Sequence, residues 1–497
     1  MSKLKIVTLL AGIFVVWLPA LVQAYQIAPN PNPSGSTISV ITLDAENLSS
    51  FENNGFLQIN FGGVLHNSYS GATLNNNSGG VISINSGSTL DNVNGATLNN
   101  NSGATLNING GTLQSYYTPF NNNILNNNSG ATLNNNFGSM NYDNLFNGGA
   151  LNNSGFMGSS STTINTGTLN NNFGATFFGN ATSNSGILNN AGSLQSDTLG
   201  NGGTLNNTGN MSSYDLSNGS TLNNIFGGTL LLSDVAHNSG TLNNAGFMSN
   251  SILYNSGTLN NTGTLNSQRL NNSGTLSNSG IMNNLSNLYN TAALVNSGTL
   301  NNNETIAGTG TYLQTAGQTN NNGSITQSSI AINGGTLSGT GTITGNVTIG
   351  SGASVNPGNS PGTMTITGNF SSGGTLVFEI AGLGTGLYDV LDINGNALFS
   401  GGNIQFDFIN GFNAAAGNYW DFLFADTISG WDNLGFSFNG LGAGLGWNFT
   451  QLISGGERLW ITSNAVSPVP EAETYAMLLA GLALLGFIAA RKKNLCV

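Results

Sequence analysis

The chain has 497 residues, of which 72 are Gly, with seven Lys or Arg set against 19 Asp or Glu. A charged share of 5 %, where ordinary soluble domains carry about a quarter, leaves no basic footprint for nucleic acid. One Cys and two His supply neither a disulfide framework nor a Cys/His metal cluster, and no cofactor is expected. Five of the seven basic residues (Lys3, Lys5, Arg491, Lys492, Lys493) lie at the two ends; between Tyr25 and Val469 only Arg269 and Arg458 accompany 17 acids. Asn reaches about 85 residues, one in six, so this long middle is a neutral, amide- and hydroxyl-coated surface suited to the outside of a cell.

Residues 1–24 have the layout of a secretory signal peptide, which implies the Sec export machinery. Lys3 and Lys5 open it, Ile6–Trp17 is apolar, Pro19 breaks the run, and Val22-Gln23-Ala24 is a small-x-small cleavage site that starts the mature chain at Tyr25. Residues 25–64 are expected to be an N-terminal segment and cap.

Residues 65–370 repeat a six-residue phrase, Ser-Gly-Thr-Leu-Asn-Asn. Apolar sites at Leu188, Leu194, Leu199 and Leu205 are spaced 6, 5 and 6 apart, and Leu205, Met211, Leu216 and Leu222 repeat the pattern. Helices need steps of three and four, so each phrase reads as a strand of two or three residues followed by a turn. Gly supplies the positive φ of a tight corner. Three inward side chains per 17 residues predict an all-β parallel β-helix of three faces, with rungs about 4.8 Å apart. Roughly 18 rungs would then make a rod on the order of 85 Å long. Leu stacks on Leu inside, and Asn stacks on Asn at the corners, where amides can form a hydrogen-bonded ladder. Pro119 is the only proline between Ser34 and Asn356, as continuous pairing requires. The recurring step of five departs from strict left-handed hexapeptide helices. The loose rungs resemble filamentous haemagglutinin and autotransporter passengers, which implies a right-handed coil.

From Leu337 the phrase changes. Pro357-Gly358-Asn359-Ser360-Pro361-Gly362, then Tyr388-Asp389, Leu391 and Gly395, resemble the last rungs of pertactin-type passengers over residues 337–400. That resemblance implies a β-helix end and surface display, although no β-barrel translocator follows. Residues 371–465 alternate apolar and polar positions, as in Leu376, Phe378 and Ile380, and hold four of the five Trp (Trp420, Trp431, Trp447, Trp460). A β-sandwich-like cap over the open solenoid end is expected here, its aromatics packing a core, with a sugar platform as the alternative.

The tail has three parts: Val469-Pro470-Glu471-Ala472, an uncharged stretch over 474–490, and the basic cluster Arg491-Lys492-Lys493. The stretch reads as a transmembrane helix, held transiently in the inner membrane with the cluster on the cytoplasmic side. The whole, residues 469–493, resembles the PEP-CTERM sorting signal of Gram-negative bacteria, which implies processing by an exosortase and a setting among exopolysaccharide producers. Ala472 stands where that family usually has a second Pro. Cys496 follows the cluster and has no evident role.

Paired carboxylates, which glycosidases need, are not apparent. The acids of the repeat are scattered, and only Asp197, Asp215 and Asp234, spaced about one rung apart, could form a column for Ca²⁺; solvated loop carboxylates are the plainer reading. His66 and His237 stand alone, without a partnered nucleophile. Asp389 and Asp392 are a second weak calcium candidate. The sequence therefore points to a non-enzymatic exported repeat protein, at the cell surface or outside the cell after processing, with a role in adhesion, biofilm or exopolysaccharide-associated structure. A polysaccharide lyase or hydrolase, or an ice- or glycan-binding surface protein, are the alternatives.

Overall fold

A computed structural model describes residues 25–41, 44–114 and 122–463, together with Ala480, Leu482, Ala483 and Leu485. Successive short strands pair in parallel with the strands one turn later, so the chain winds into a solenoid with three inward columns. In the most regular part, Leu188 pairs with Leu205, and Leu205 with Leu222, on face one. Leu194 pairs with Met211 on face two, and Leu199 with Leu216 on face three. All seven side chains are buried.

The 6-5-6 spacing has a local cause. Faces two and three share one continuous strand, such as Ser193–Asn201, whereas face one is a separate four-residue strand, such as Thr204–Asn207. The step of five turns a corner inside an extended strand. Each step of six includes a short turn outside the ladder. Strands are therefore longer than the two or three residues expected.

Glycine acts differently from expectation in these turns. In the regular rungs the Ser-Gly glycines are not at positive φ; that conformation occurs in the longer turns, as at Gly62, Gly174 and Gly227. A Cβ on Gly263 would lie 2.1 Å from the carbonyl oxygen of Gly246 on the preceding rung. Glycine is required there by close stacking of backbones.

The last inward Asn of each face-one and face-three strand forms a buried ladder. Asn207 donates Nδ2–H to Oδ1 of Asn224, Asn224 to Asn244, and Asn244 to Asn261, at 2.7–2.8 Å. A second ladder runs through Asn201, Asn218, Asn238 and Asn255 at 2.7–2.8 Å. Buried amides are tolerable along these runs because both ends of each are hydrogen-bonded; at Asn135, where the face-one ladder begins above Ile108, Oδ1 has no donor among the described residues.

Two parts of the expected architecture are corrected. First, residues 371–439 are not a β-sandwich: Leu376 pairs in parallel with Ile404, and Ile404 with Phe436, so the solenoid continues. Rungs here are wider, Thr375 pairing with Asn403, and the larger interior is filled by the stacked rings of Phe378, Phe406 and Phe438 at centroid distances of 5.8 and 5.2 Å. Alternating Phe reads identically in a sandwich strand and in a wide rung. Among the described strands, Glu457–Ser463 alone forms antiparallel ladders, with Tyr419–Phe424 and with Leu445–Gln451, and it folds over the end. The parallel ladder likewise reaches back to Tyr25, which pairs with Ala45.

Second, the transmembrane helix is not supported. Among the described residues no helix is long and apolar enough to cross a membrane. Ala480, Leu482, Ala483 and Leu485 have helical backbone, and the rest of 474–490 lies outside the described residues. That expectation rested on an uncharged run of 17 residues, at the short end for a span, followed by the basic cluster Arg491-Lys492-Lys493.

Candidate functional site

Face one is the most regular exterior surface. Its strands read Thr-Leu-Asn-Asn through much of the rod, so alternation sends Leu and the second Asn inward and Thr and the first Asn outward. The outward Asn residues form a ladder of their own. Asn206 donates to Asn189, Asn223 to Asn206, Asn243 to Asn223 and Asn260 to Asn243, at 2.8–2.9 Å. Each keeps one N–H and one oxygen lone pair for an outside partner. From Thr132 to Asn260 the outward positions of this face carry no charge. A shallow groove along its edge is lined by Asn243, Asn244, Ala245, Asn260, Asn261 and Thr262. Such a surface offers repeated neutral hydrogen bonds about 4.8 Å apart.

The acids singled out in the repeat are not stacked. Ser196 pairs with Ser213 and Thr198 with Asp215, so Tyr214, and not Asp215, is level with Asp197. Asp234 falls in a register shift between Leu232 and Val235. It lies beside Tyr214, whose phenol it pushes above its ordinary value by charge and by hydrogen bonding. Among the described residues no three His, Cys, Asp or Glu side chains converge as a metal site.

His66 and Asp91 pair in register on face two, with Nδ1 2.9 Å from Oδ2. His237 stacks on Tyr254, their ring planes 11° apart and centroids 5.0 Å apart. Asp389 is buried and braces the backbone: Oδ1 accepts from the Gly362 N–H at 2.7 Å, and Oδ2 from the Glu379 N–H at 2.8 Å. Burial raises its carboxyl to about 7 despite those bonds. Asp392 pairs opposite Thr365 in the ladder. Trp420 is buried and donates Nε1–H to the Gly382 carbonyl at 2.8 Å. Trp447 is 42 % exposed but packs against Phe436, Phe438 and Phe449. Arg458 clasps Asp421 through two bonds, of 2.5 and 2.9 Å, with its guanidinium 4.2 Å from the Tyr419 ring centroid.

One set of exposed residues escaped sequence reasoning. Phe61, Phe137, Phe173 and Phe226 are 80 %, 85 %, 92 % and 87 % exposed, and all lie at the turn between faces one and two. A visible signal was the recurring Asn-Phe-Gly at 60–62, 136–138 and 172–174, which departs from Asn-Ser-Gly.

Tyr25 opens the first described strand. Ala24, Val469, Pro470, Glu471, Ala472, Arg491, Lys492, Lys493 and Cys496 lie outside the described residues. Residues 468–493 match the family model of the PEP-CTERM protein-sorting motif. No curated protein matches the chain.

Proposed function

From a chain that carries a PEP-CTERM sorting motif, and is therefore an exported substrate of an exosortase delivered to the cell surface or beyond, we propose that the solenoid is a non-catalytic rod serving adhesion or the structure of a surface matrix. The observation that carries this reading is the uncharged Thr/Asn face, whose outward amides repeat rung after rung in a hydrogen-bonded ladder. Binding on such a face is distributed, each contact weak and the sum strong. Neutral polysaccharide is the partner class that the surface suits, since its hydroxyls match free amide donors and acceptors and need no countercharge. The scattered acids of the repeat support a structural role over a hydrolytic one.

Deleting residues 469–497 and fractionating the cells tests the sorting claim: the truncated protein is expected to be lost from the surface and medium, and unchanged delivery would overturn it. A strain lacking the protein, with and without complementation, tests the role: reduced cell aggregation or matrix retention is expected, and no difference would overturn it.

A further inference from the structure

The four exposed Phe residues lie on a single edge of the rod. Each follows a face-one strand and precedes a face-two strand, and the strands concerned are joined by the same parallel ladder. From Leu57 through Ile82 and Leu106 to Leu133 is three rungs; from Leu133 through Leu151 to Leu169 is two; from Leu169 through Leu188 and Leu205 to Leu222 is three. Phe61, Phe137, Phe173 and Phe226 are thus spaced three, two and three rungs apart, which at about 4.8 Å per rung spans an edge of about 38 Å.

This spacing reads the same from either end. A second rod laid antiparallel along the edge, on a two-fold axis midway between Phe137 and Phe173, brings Phe137 level with the partner's Phe173 and Phe61 level with the partner's Phe226. That is the self-complementarity an isologous interface requires. The flanking surface is compatible with a copy of itself. Between Phe137 and Phe226 the face-one strands carry no charged side chain, nor do the first four residues of each face-two strand, from Ser139–Tyr142 to Thr229–Leu232. No like charges would meet across the axis.

Phe137 gives an independent sign that the edge is built for contact. Its φ is +59°, in the left-handed region, and its bridge partner on the preceding rung is Asn109, followed there by Gly110 at φ +71°. A bulky residue rarely takes that conformation, and here it carries an almost fully exposed ring instead of a glycine. Local strain that stability does not explain marks a place with a job.

We propose that this Phe edge is a self-association surface, on which two copies of the chain pair side by side and antiparallel. The inference concerns the rod alone and stands or falls independently of where the protein is delivered. The edge is narrow beside a standard interface, so the pairing is concentration-dependent.

The test uses the full chain in sedimentation equilibrium. Wild type is expected to show a monomer–dimer equilibrium, and the double variant Phe137→Ser/Phe173→Ser a dissociation constant at least tenfold higher with an unchanged circular dichroism spectrum. For orientation, Asn136→Cys and Asn172→Cys are made separately in a Cys496→Ser background and treated with a short bismaleimide. Cross-linked dimers are expected chiefly when the two are mixed. A wild type that stays monomeric, a double variant that dimerises as well as wild type, or preferential linking of like with like would each overturn the proposal. So would a monomeric wild type that binds neutral polysaccharide through these Phe residues, since the edge would then be a glycan site.

Discussion

Asn244 donates its side-chain amide to Oδ1 of Asn261 at 2.7 Å, while Asn260, one residue before that acceptor, donates in the opposite sense to Asn243 at 2.9 Å. Neighbouring positions of one strand therefore carry amide ladders of opposite polarity, one buried and one facing solvent. The buried direction has a local cause. Asn244 also donates to the carbonyl of Thr264 at 2.9 Å, where the chain enters face two of the next rung, and this corner acceptor turns the amide forward. The outward Asn has no such corner carbonyl among its hydrogen bonds.

The two ladders differ in energetic consequence. Asn244→Leu would leave the amide of Asn224 without its acceptor and Oδ1 of Asn261 without its donor, both buried. Each orphaned group costs about 1–3 kcal/mol. Asn243→Ala removes partly exposed bonds that water replaces, a change within about 0.5 kcal/mol. Denaturant melts of the two variants should separate clearly, and equal stabilities would contradict the ladder.

Glycine substitutions should sort by stacking. Gly263→Ala forces a Cβ against the backbone carbonyl of Gly246, whereas a Cβ on Gly219 meets nothing closer than 3.7 Å. Overpacking against backbone costs about 1–3 kcal/mol. Gly219→Ala is expected to be neutral or slightly stabilising. Thermal unfolding of both, followed by circular dichroism, checks the contrast.

Stability should depend on pH through two carboxyls near the solenoid's closing end. Burial raises Asp389 and Glu457 to about 7 each. A carboxyl raised in the folded state favours folding while it is protonated there, so its contribution is full below its unfolded value near 4 and is lost as pH rises through about 7. Melting temperature is expected to fall from about pH 4 to about pH 7 and to level off above that. Glu457→Gln should flatten part of that slope while keeping the shape of the side chain. An unchanged slope would show that Glu457 is not the titrating group.

The closing rungs depend on aromatic filling. Phe406 is fully buried and touches Phe378, Phe422 and Phe438 at centroid distances of 4.9–5.8 Å. Phe406→Ala should destabilise by about 3–5 kcal/mol. Near-ultraviolet circular dichroism and urea unfolding report it, and a loss below 1 kcal/mol would show that the wide rungs collapse onto the gap.

Much of this molecule could be read from residue order, because a solenoid repeats its instructions. Spacing of Leu188, Leu194, Leu199 and Leu205 determined the three faces, since each residue in a short strand has only two directions to point. The Asn-Asn of the phrase implied ladders for the same reason: what stacks on itself is written in the repeat. The low charge follows too, because a charge in the phrase would recur in register and repel its own copies about every 4.8 Å.

Tertiary structure alone decided the rest. Whether Phe378, Phe406 and Phe438 belong to a sandwich or to a wide rung depends on which strands pair, and alternation is blind to that. The level of Asp197 against Tyr214 rests on a one-residue register, and such a shift redirects every side chain. The reason for glycine at 263 is a carbonyl from the preceding rung, 17 residues away in sequence and in van der Waals contact only once the turns have stacked.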